Sequence, residues 1–227
     1  CCCPVWIAMI RKIYHELMPH VPGAVSPMIA CGRMIKRIHP DALTVFAGPC
    51  LAKKQEAREP DIADAVDYVL TFQEVKDIFE AADIHPEELE DASKDHASRA
   101  GRLYARTGGV STAVSEMVEQ LRPDRTIRVR PEQADGTKAC MEMIKRIKEG
   151  RTDANFFEGM GCVGGCVGGP KAILDREEGE AYVDAYGKSA RYRTPLENPY
   201  VREVLKELGL CTVEDILKDN GMLTRNF

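Results

Sequence analysis

The first apolar positions follow a helical repeat. Val5, Trp6 and Ile7 through Leu17 and Met18 recur at the spacing of one helix face, with Arg11, Lys12 and Glu16 on the polar side. Pro19, Pro22, Gly23 and Pro27 then spell a loop, and residues 28–38 repeat the helical pattern. The short apolar run 42–47 predicts a buried strand that leads straight into Gly48-Pro49-Cys50. A second strand is predicted at 65–70. Thr71, with Glu74 three residues on, predicts a capping box for a helix at 74–82. Residues 84–101 are acidic and polar and predict a mobile surface loop. Further on, the pattern predicts a helix at 111–121, a strand at 126–130 and a helix at 135–148 closed by Gly150. A buried strand at 154–157 runs into the glycine-rich stretch 158–170, and helices are predicted near 177–188, 198–208 and 213–219. Strands alternating with helices across short turns make the chain α/β, read as one domain over 1–227. In such sheets sites gather at the carboxyl ends of strands, and Cys50 and Cys162 both follow strands directly.

Charge narrows the classes of function. The chain has 227 residues and a net charge of −5, with 31 basic residues scattered among 36 acidic ones, which argues against nucleic acid. No apolar run approaches the roughly 20 residues a membrane span needs. No signal peptide precedes the first motif, so a reducing, cytoplasmic setting is expected. The chain opens on Cys1-Cys2-Cys3-Pro4 without Met and reads as a fragment whose upstream half is missing.

Cysteine usage changes the picture most. Nine cysteines, an odd count without a secretory signal, fit thiolates used for metal better than a disulfide framework. Cys31, Cys140 and Cys211 lie in helical patterns and are expected to be buried small hydrophobes. The other six fall in three motifs. The last, Phe157-Glu158-Gly159-Met160-Gly161-Cys162-Val163-Gly164-Gly165-Cys166-Val167-Gly168-Gly169-Pro170, is the most specific. Two thiolates four apart reach one cluster, and the glycines are expected to turn backbone N–H groups toward it. In Gly48-Pro49-Cys50-Leu51-Ala52-Lys53-Lys54-Gln55-Glu56 a thiolate stands near cationic donors; alone it is equally a reactive thiol or a solvated lysine pair. Cys2-Cys3-Pro4 followed by Trp6 is weaker. Adjacent cysteines seldom bind one iron, so one is expected as a ligand and the other in a different role. The five histidines are expected to be surface or structural, since none pairs at ligand spacing within a motif.

Together and in this order, the three motifs closely resemble the signature motifs of the iron-only ([FeFe]) hydrogenase large subunit, C-terminal part of the catalytic domain. The resemblance extends to Thr107-Gly108-Gly109-Val110, to Leu70-Thr71 leading into Glu74, and to Glu197-Asn198-Pro199, reaching about residue 200. It implies that fold, with one sheet lobe, flanking helices and a helical tail. It implies a [4Fe–4S] cluster held by Cys3, Cys50, Cys162 and Cys166, with Cys166 bridging to a two-iron subsite that carries CO, cyanide and a bridging dithiolate (the H-cluster). Lys53 would donate to a cyanide through a charge-assisted bond. Cys2 would pass protons, as a thiol that ordinarily titrates near about 8.5 can. Ser26, Pro27 and Met160 match further residues around the cofactor. The implied activity is reversible H2 oxidation and proton reduction, with a ferredoxin-like electron carrier or a further iron–sulfur domain or subunit as partner.

The departures point to a divergent branch. Gly48 stands where the family usually has Met, and is expected to open the pocket. Cys1 stands in place of Ser, Pro22 in place of a Ser on the proton route, and Gly168-Gly169-Pro170-Lys171 replaces Gly-Gly-Gly-Gln. Two alternatives follow. One is an H2-sensing homologue with slow turnover. The other is an iron–sulfur assembly protein like nuclear prelamin A recognition factor, lacking the two-iron subsite. Lys53 does not separate these readings; Cys2 does.

Overall fold

The computed structural model describes residues 2–90, 96–218 and 221–227, the Leu217 side chain excepted. Cys1, the 91–95 part of the acidic loop and the expected helix end at 219 lie outside the described residues. The architecture is mixed α/β, with helices around small parallel sheets. The chain forms two compact units. The first comprises Cys1–His85, Pro170–Ile173 and Arg202–Phe227; the second comprises Pro86–Gly169 and Leu174–Val201.

In the first unit, helix α1 (Pro4–Ile13) starts with proline at a first-turn position, where the missing N–H costs nothing. It is shorter than the apolar repeat. Tyr14 leaves helical geometry and a 3-10 turn (His15–His20) carries Leu17 and Met18. Pro19 lies inside that turn, where it can donate no helical hydrogen bond. Helix α2 (Pro27–Ile38) buries Met28, Ile29 and Gly32. Strand β1 (Val45–Gly48), helix α3 (Ala52–Glu56), strand β2 (Tyr68–Thr71) and helix α4 (Phe72–Ala81) follow. The strands pair in parallel, from Val45 opposite Tyr68 to Gly48 opposite Thr71. Both begin later than the apolar runs predict. Side chains occupy the preceding residues: Thr44 Oγ1 donates to the Ala65 carbonyl, and the Asp67 carboxylate accepts from Thr44 N. The capping box forms as expected, Glu74 N donating to Thr71 Oγ1 and Thr71 N to Glu74 Oε2. Val25, Met28, Ile29, Ile62, Ala65 and Val66 form the core, with Phe46 and Val69 against it.

In the second unit come α5 (Arg99–Arg102), α6 (Gly109–Leu121), strand β3 (Pro131–Asp135), α7 (Thr137–Lys148), strand β4 (Phe156–Met160) and α8 (Arg176–Lys188). Strands β3 and β4 pair in parallel, from Pro131 opposite Phe156 to Asp135 opposite Met160. The strand expected at 126–130 does not form there; Ile127 is 70% exposed. The five residues after it make β3, and of these only Ala134 is buried, so hydrophobic alternation carried no signal. Strand β4 begins later than expected and runs on through Gly159 to Met160, into the third motif.

Helix α9 (Pro199–Glu207) and helix α10 (Val213–Leu217) follow. The segment 221–227 then packs within the first unit. Val25 N donates to the Leu223 carbonyl, Arg225 N to the Gly23 carbonyl, and the Arg225 guanidinium reaches Glu59 and Asp61. Among the described residues no helix is long and apolar enough to cross a membrane.

Candidate functional site

On the first unit, Cys3 occupies the N-cap position of α1, its carbonyl accepting from Ile7 N. Cys2 and Cys3 are half-buried. Cys50 is also half-buried, in the turn between β1 and α3. That turn is fastened from the far side of the third motif, because Lys171 N donates to the Pro49 carbonyl.

The two lysines of the second motif separate completely. Lys53 is buried and its Nζ lies 2.7 Å from Glu56 Oε2, one turn along the same helix and equally buried. Lys54 turns to the β2–α4 junction, donating to the Val69 carbonyl and to the Glu74 carboxylate. The ammonium of Lys54, with the Thr71 N–H, holds the Glu74 carboxyl down to about 2. Lys54 is therefore a structural tie, and Lys53 is the cation held inside. Ser26 occupies the N-cap position of α2, yet its hydroxyl caps nothing: Oγ is buried without a hydrogen-bond partner. Pro27 beside it is exposed.

The space at Gly48 is not open. The Phe46 ring stands there, its Cε1 2.8 Å from where a Cβ of residue 48 would lie. Residues two apart on a strand share a face, so a large side chain at 46 fills what a small one at 48 leaves.

On the second unit, β4 delivers Glu158, Gly159 and Met160, all buried, and Cys162 and Cys166 follow half-buried. The thiol of Cys140 lies in hydrogen-bonding range of the Met160 carbonyl, at 3.4 Å. Four of the six glycines of this motif spend their N–H groups on the protein itself. Gly164 N donates to Asp135 Oδ2, Gly165 N to the Cys162 carbonyl, Gly168 N to the Gly165 carbonyl and Gly169 N to the Cys166 carbonyl. Their role is steric. A Cβ at Gly165 would stand 2.8 Å from Thr107 N, and one at Gly168 would stand 1.9 Å from the Val163 carbonyl oxygen.

Of the three cysteines expected in the core, Cys140 is fully buried, but Cys31 and Cys211 are exposed. Cys31 falls off the stripe of α2 that buries Met28, Ile29 and Gly32, and Cys211 lies between α9 and α10. All five histidines are exposed. Each unit carries two of the four cysteines matched to a cluster, so neither holds a complete set of four. Among the described residues no three His, Cys, Asp or Glu side chains are grouped as metal ligands.

The chemistry present still fits an anionic iron–sulfur group. The donors are half-buried thiols. The first unit adds a buried ammonium and a buried hydroxyl lacking any partner, both able to donate to an anion. Sequence reasoning passed over Glu56, the counter-charge of Lys53, and Glu158, although both stand within the motifs. Spacing marks Glu56 faintly, three residues after Lys53 on a helix; nothing local marks Glu158.

The chain spans about half the length of the curated relatives it matches. It is 26% identical over 214 residues to the periplasmic [Fe] hydrogenase large subunit of Nitratidesulfovibrio vulgaris, covering 76% of this chain and 51% of that protein. It is 25% identical over 252 residues to cytosolic iron-sulfur assembly component 3 of Pongo abelii, covering 89% and 53%. It is 24% identical to human nuclear prelamin A recognition factor, covering 90% and 56%. The fold matches an [FeFe]-hydrogenase variant from Chlamydomonas reinhardtii with a TM-score of 0.77 at 23% identity, over all of this chain and 75% of that one. With residues 1–170 matching the family model for the iron only hydrogenase large subunit, C-terminal domain, the chain belongs to that family.

Proposed function

We propose that this chain forms the cluster-binding part of a hydrogenase-type domain that interconverts H2 with protons and electrons, its two units working as one domain. In this reading Cys3, Cys50, Cys162 and Cys166 hold a [4Fe–4S] cluster, and Cys166 also bridges to a two-iron subsite with CO, cyanide and a bridging dithiolate. When bound, that assembly supplies the redox and H2-splitting chemistry. Lys53 holds its charge in the interior, and Glu56 takes only one of the three N–H donors of an ammonium. The others suit an anionic ligand such as cyanide. The Ser26 hydroxyl suits the same role. Cys2 passes protons, and Pro27 and Met160 complete the surroundings. A ferredoxin-like carrier, or a further iron–sulfur domain or subunit, exchanges the electrons, in the cytoplasm.

The observations that carry this reading are a buried ammonium, Lys53, and a buried, partnerless hydroxyl, Ser26, both on the unit that bears Cys3 and Cys50. With no anion to receive it the Ser26 hydroxyl stays desolvated at a cost, while Lys53 has Glu56 alone.

A second reading has its own support. Relatives of comparable similarity include iron–sulfur assembly proteins, which favours an assembly role without the two-iron subsite. Pro22, which lacks a hydroxyl, favours a third variant, an H2 sensor with slow turnover. Infrared spectroscopy of the anaerobically matured protein in the CO and cyanide stretching region, followed by an H2 assay, separates the three. Bands with fast turnover support the enzyme, and bands with slow turnover the sensor. A full four-iron signal without bands supports assembly.

A further inference from the structure

Glu158 lies four residues before Cys162, at the buried end of β4, and is 4% exposed. Both of its oxygens are used. Oε1 accepts from Gly108 N at 2.8 Å, and Oε2 accepts from Ser111 N and Ser111 Oγ, each at 2.6 Å. These donors are the first turn of α6. A helix start leaves its first N–H groups without partners inside the helix. Here the N-cap residue is Gly108, which has no side chain to offer them and sits at φ 83. A carboxylate from another element supplies the cap, and its charge suits the helix dipole.

The same stretch, 106–111, also grips the cysteine loop. Thr107 N donates to the Gly164 carbonyl, and Arg106 bridges to Gly165. Thr107 Oγ1 and Gly164 N both donate to Asp135 Oδ2, each at 3.0 Å. The segment 158–165 is thus fastened near both ends to one short stretch of chain, and Cys162 lies between the fastenings.

We propose that Glu158 is a positioning residue: it caps α6 from a distance and thereby sets the geometry of the Cys162 and Cys166 thiols before any cluster binds. The purpose of that geometry rests on the cluster-binding reading above. The site demands two acceptor oxygens, and glutamine has one. Glu158→Gln must turn its amide N–H toward either Gly108 N or the Ser111 donors, setting donor against donor. Ser111→Ala is milder, because it removes one donor and leaves both backbone bonds.

The test is alkylation of each thiol in the metal-free chain, followed by mass spectrometry, alongside iron uptake from ferrous iron and sulfide under anaerobic conditions. Cys140, fully buried on α7, reports global unfolding, and exposed Cys31 and Cys211 serve as references. In Glu158→Gln the rates at Cys162 and Cys166 should change about threefold or more while Cys140 stays protected, as thiol reactivity follows local environment. Iron per chain should fall, and Ser111→Ala should show a smaller change of the same kind. Wild-type rates at both thiols in a folded Glu158→Gln chain would overturn the proposal. If Glu158→Gln exposes Cys140, Ser111→Ala decides, and wild-type rates there overturn it. Altered thiol rates in a protein whose wild type takes up no iron would sustain the positioning role and reject the cluster reading.

Discussion

The Phe46 ring fills the space beside Gly48, with Cε1 2.8 Å and Cζ 3.0 Å from where a Cβ at residue 48 would stand. Phe46 also packs against the core of Val25, Met28, Ile29 and Ile62. Gly48→Met therefore overpacks this face and should cost about 1–3 kcal/mol in chemical denaturation. Shrinking the ring should relieve it. In the double variant Phe46→Ala, Gly48→Met, the combined loss should fall short of the sum of the single losses by about 0.5–3 kcal/mol. Strict additivity would show that the two side chains do not share the space.

The Lys53–Glu56 pair is buried on both sides. Removing one partner strands the other charge, so Glu56→Ala should destabilise the metal-free protein by about 3–5 kcal/mol. Replacing both, as Lys53→Met with Glu56→Leu, should recover much of that loss. If Glu56→Ala unfolds at the wild-type denaturant midpoint, water or another group compensates Lys53.

Cys50→Ala and Cys162→Ala, one on each unit, should each abolish the iron–sulfur absorption of the reconstituted protein. A full four-iron signal in both would reject the ligand assignment. Cys2→Ser should keep the iron content and slow H2 turnover sharply; unchanged turnover would send the protons by another route.

Two carboxyls link stability to acid. Asp67 is held down to about 2 by the Lys36 ammonium and the Thr44 N–H, and Glu74 to about 2 by the Lys54 ammonium and the Thr71 N–H. Both fall below their ordinary values, so the folded state favours the ionised forms. Their contribution is complete above about pH 5 and is lost as pH falls toward about 2. Thermal unfolding followed across that range should show Tm falling, with a shallower fall in Glu74→Gln. An equally steep profile in that variant would remove Glu74 from the account.

The Arg225 side chain is almost wholly buried against Glu59 and Asp61 and ties the segment 221–227 to the loop after α3, while its amide bonds Gly23 in the loop before α2. Arg225→Ala should cost on the order of 2 kcal/mol, as loss of hydrogen bonds to charged groups does. Hydrogen exchange should quicken at the Val25 and Arg225 amides, which bond across this contact. Unchanged exchange at Val25 would mean that the backbone bonds hold the segment unaided.

What the sequence by itself determined is local. Pro4 and Pro27 begin helices, Thr71 and Glu74 form a capping box, and the cysteine motifs follow β1 and β4, because each depends on neighbours a few residues away. The motif order was also enough to bring out the family. Tertiary structure decided what depends on partners far along the chain. It left 126–130 outside the sheet and recruited 131–135, since a strand with one buried residue has no periodicity to read. It sent Lys53 inward and Lys54 across to Glu74, a choice that two adjacent lysines cannot reveal. It filled the gap at Gly48 with Phe46. It gave Glu158 the start of a helix 47 residues earlier in the chain to cap, because the orphaned N–H groups of α6 find no acceptor nearby and one buried carboxylate satisfies them.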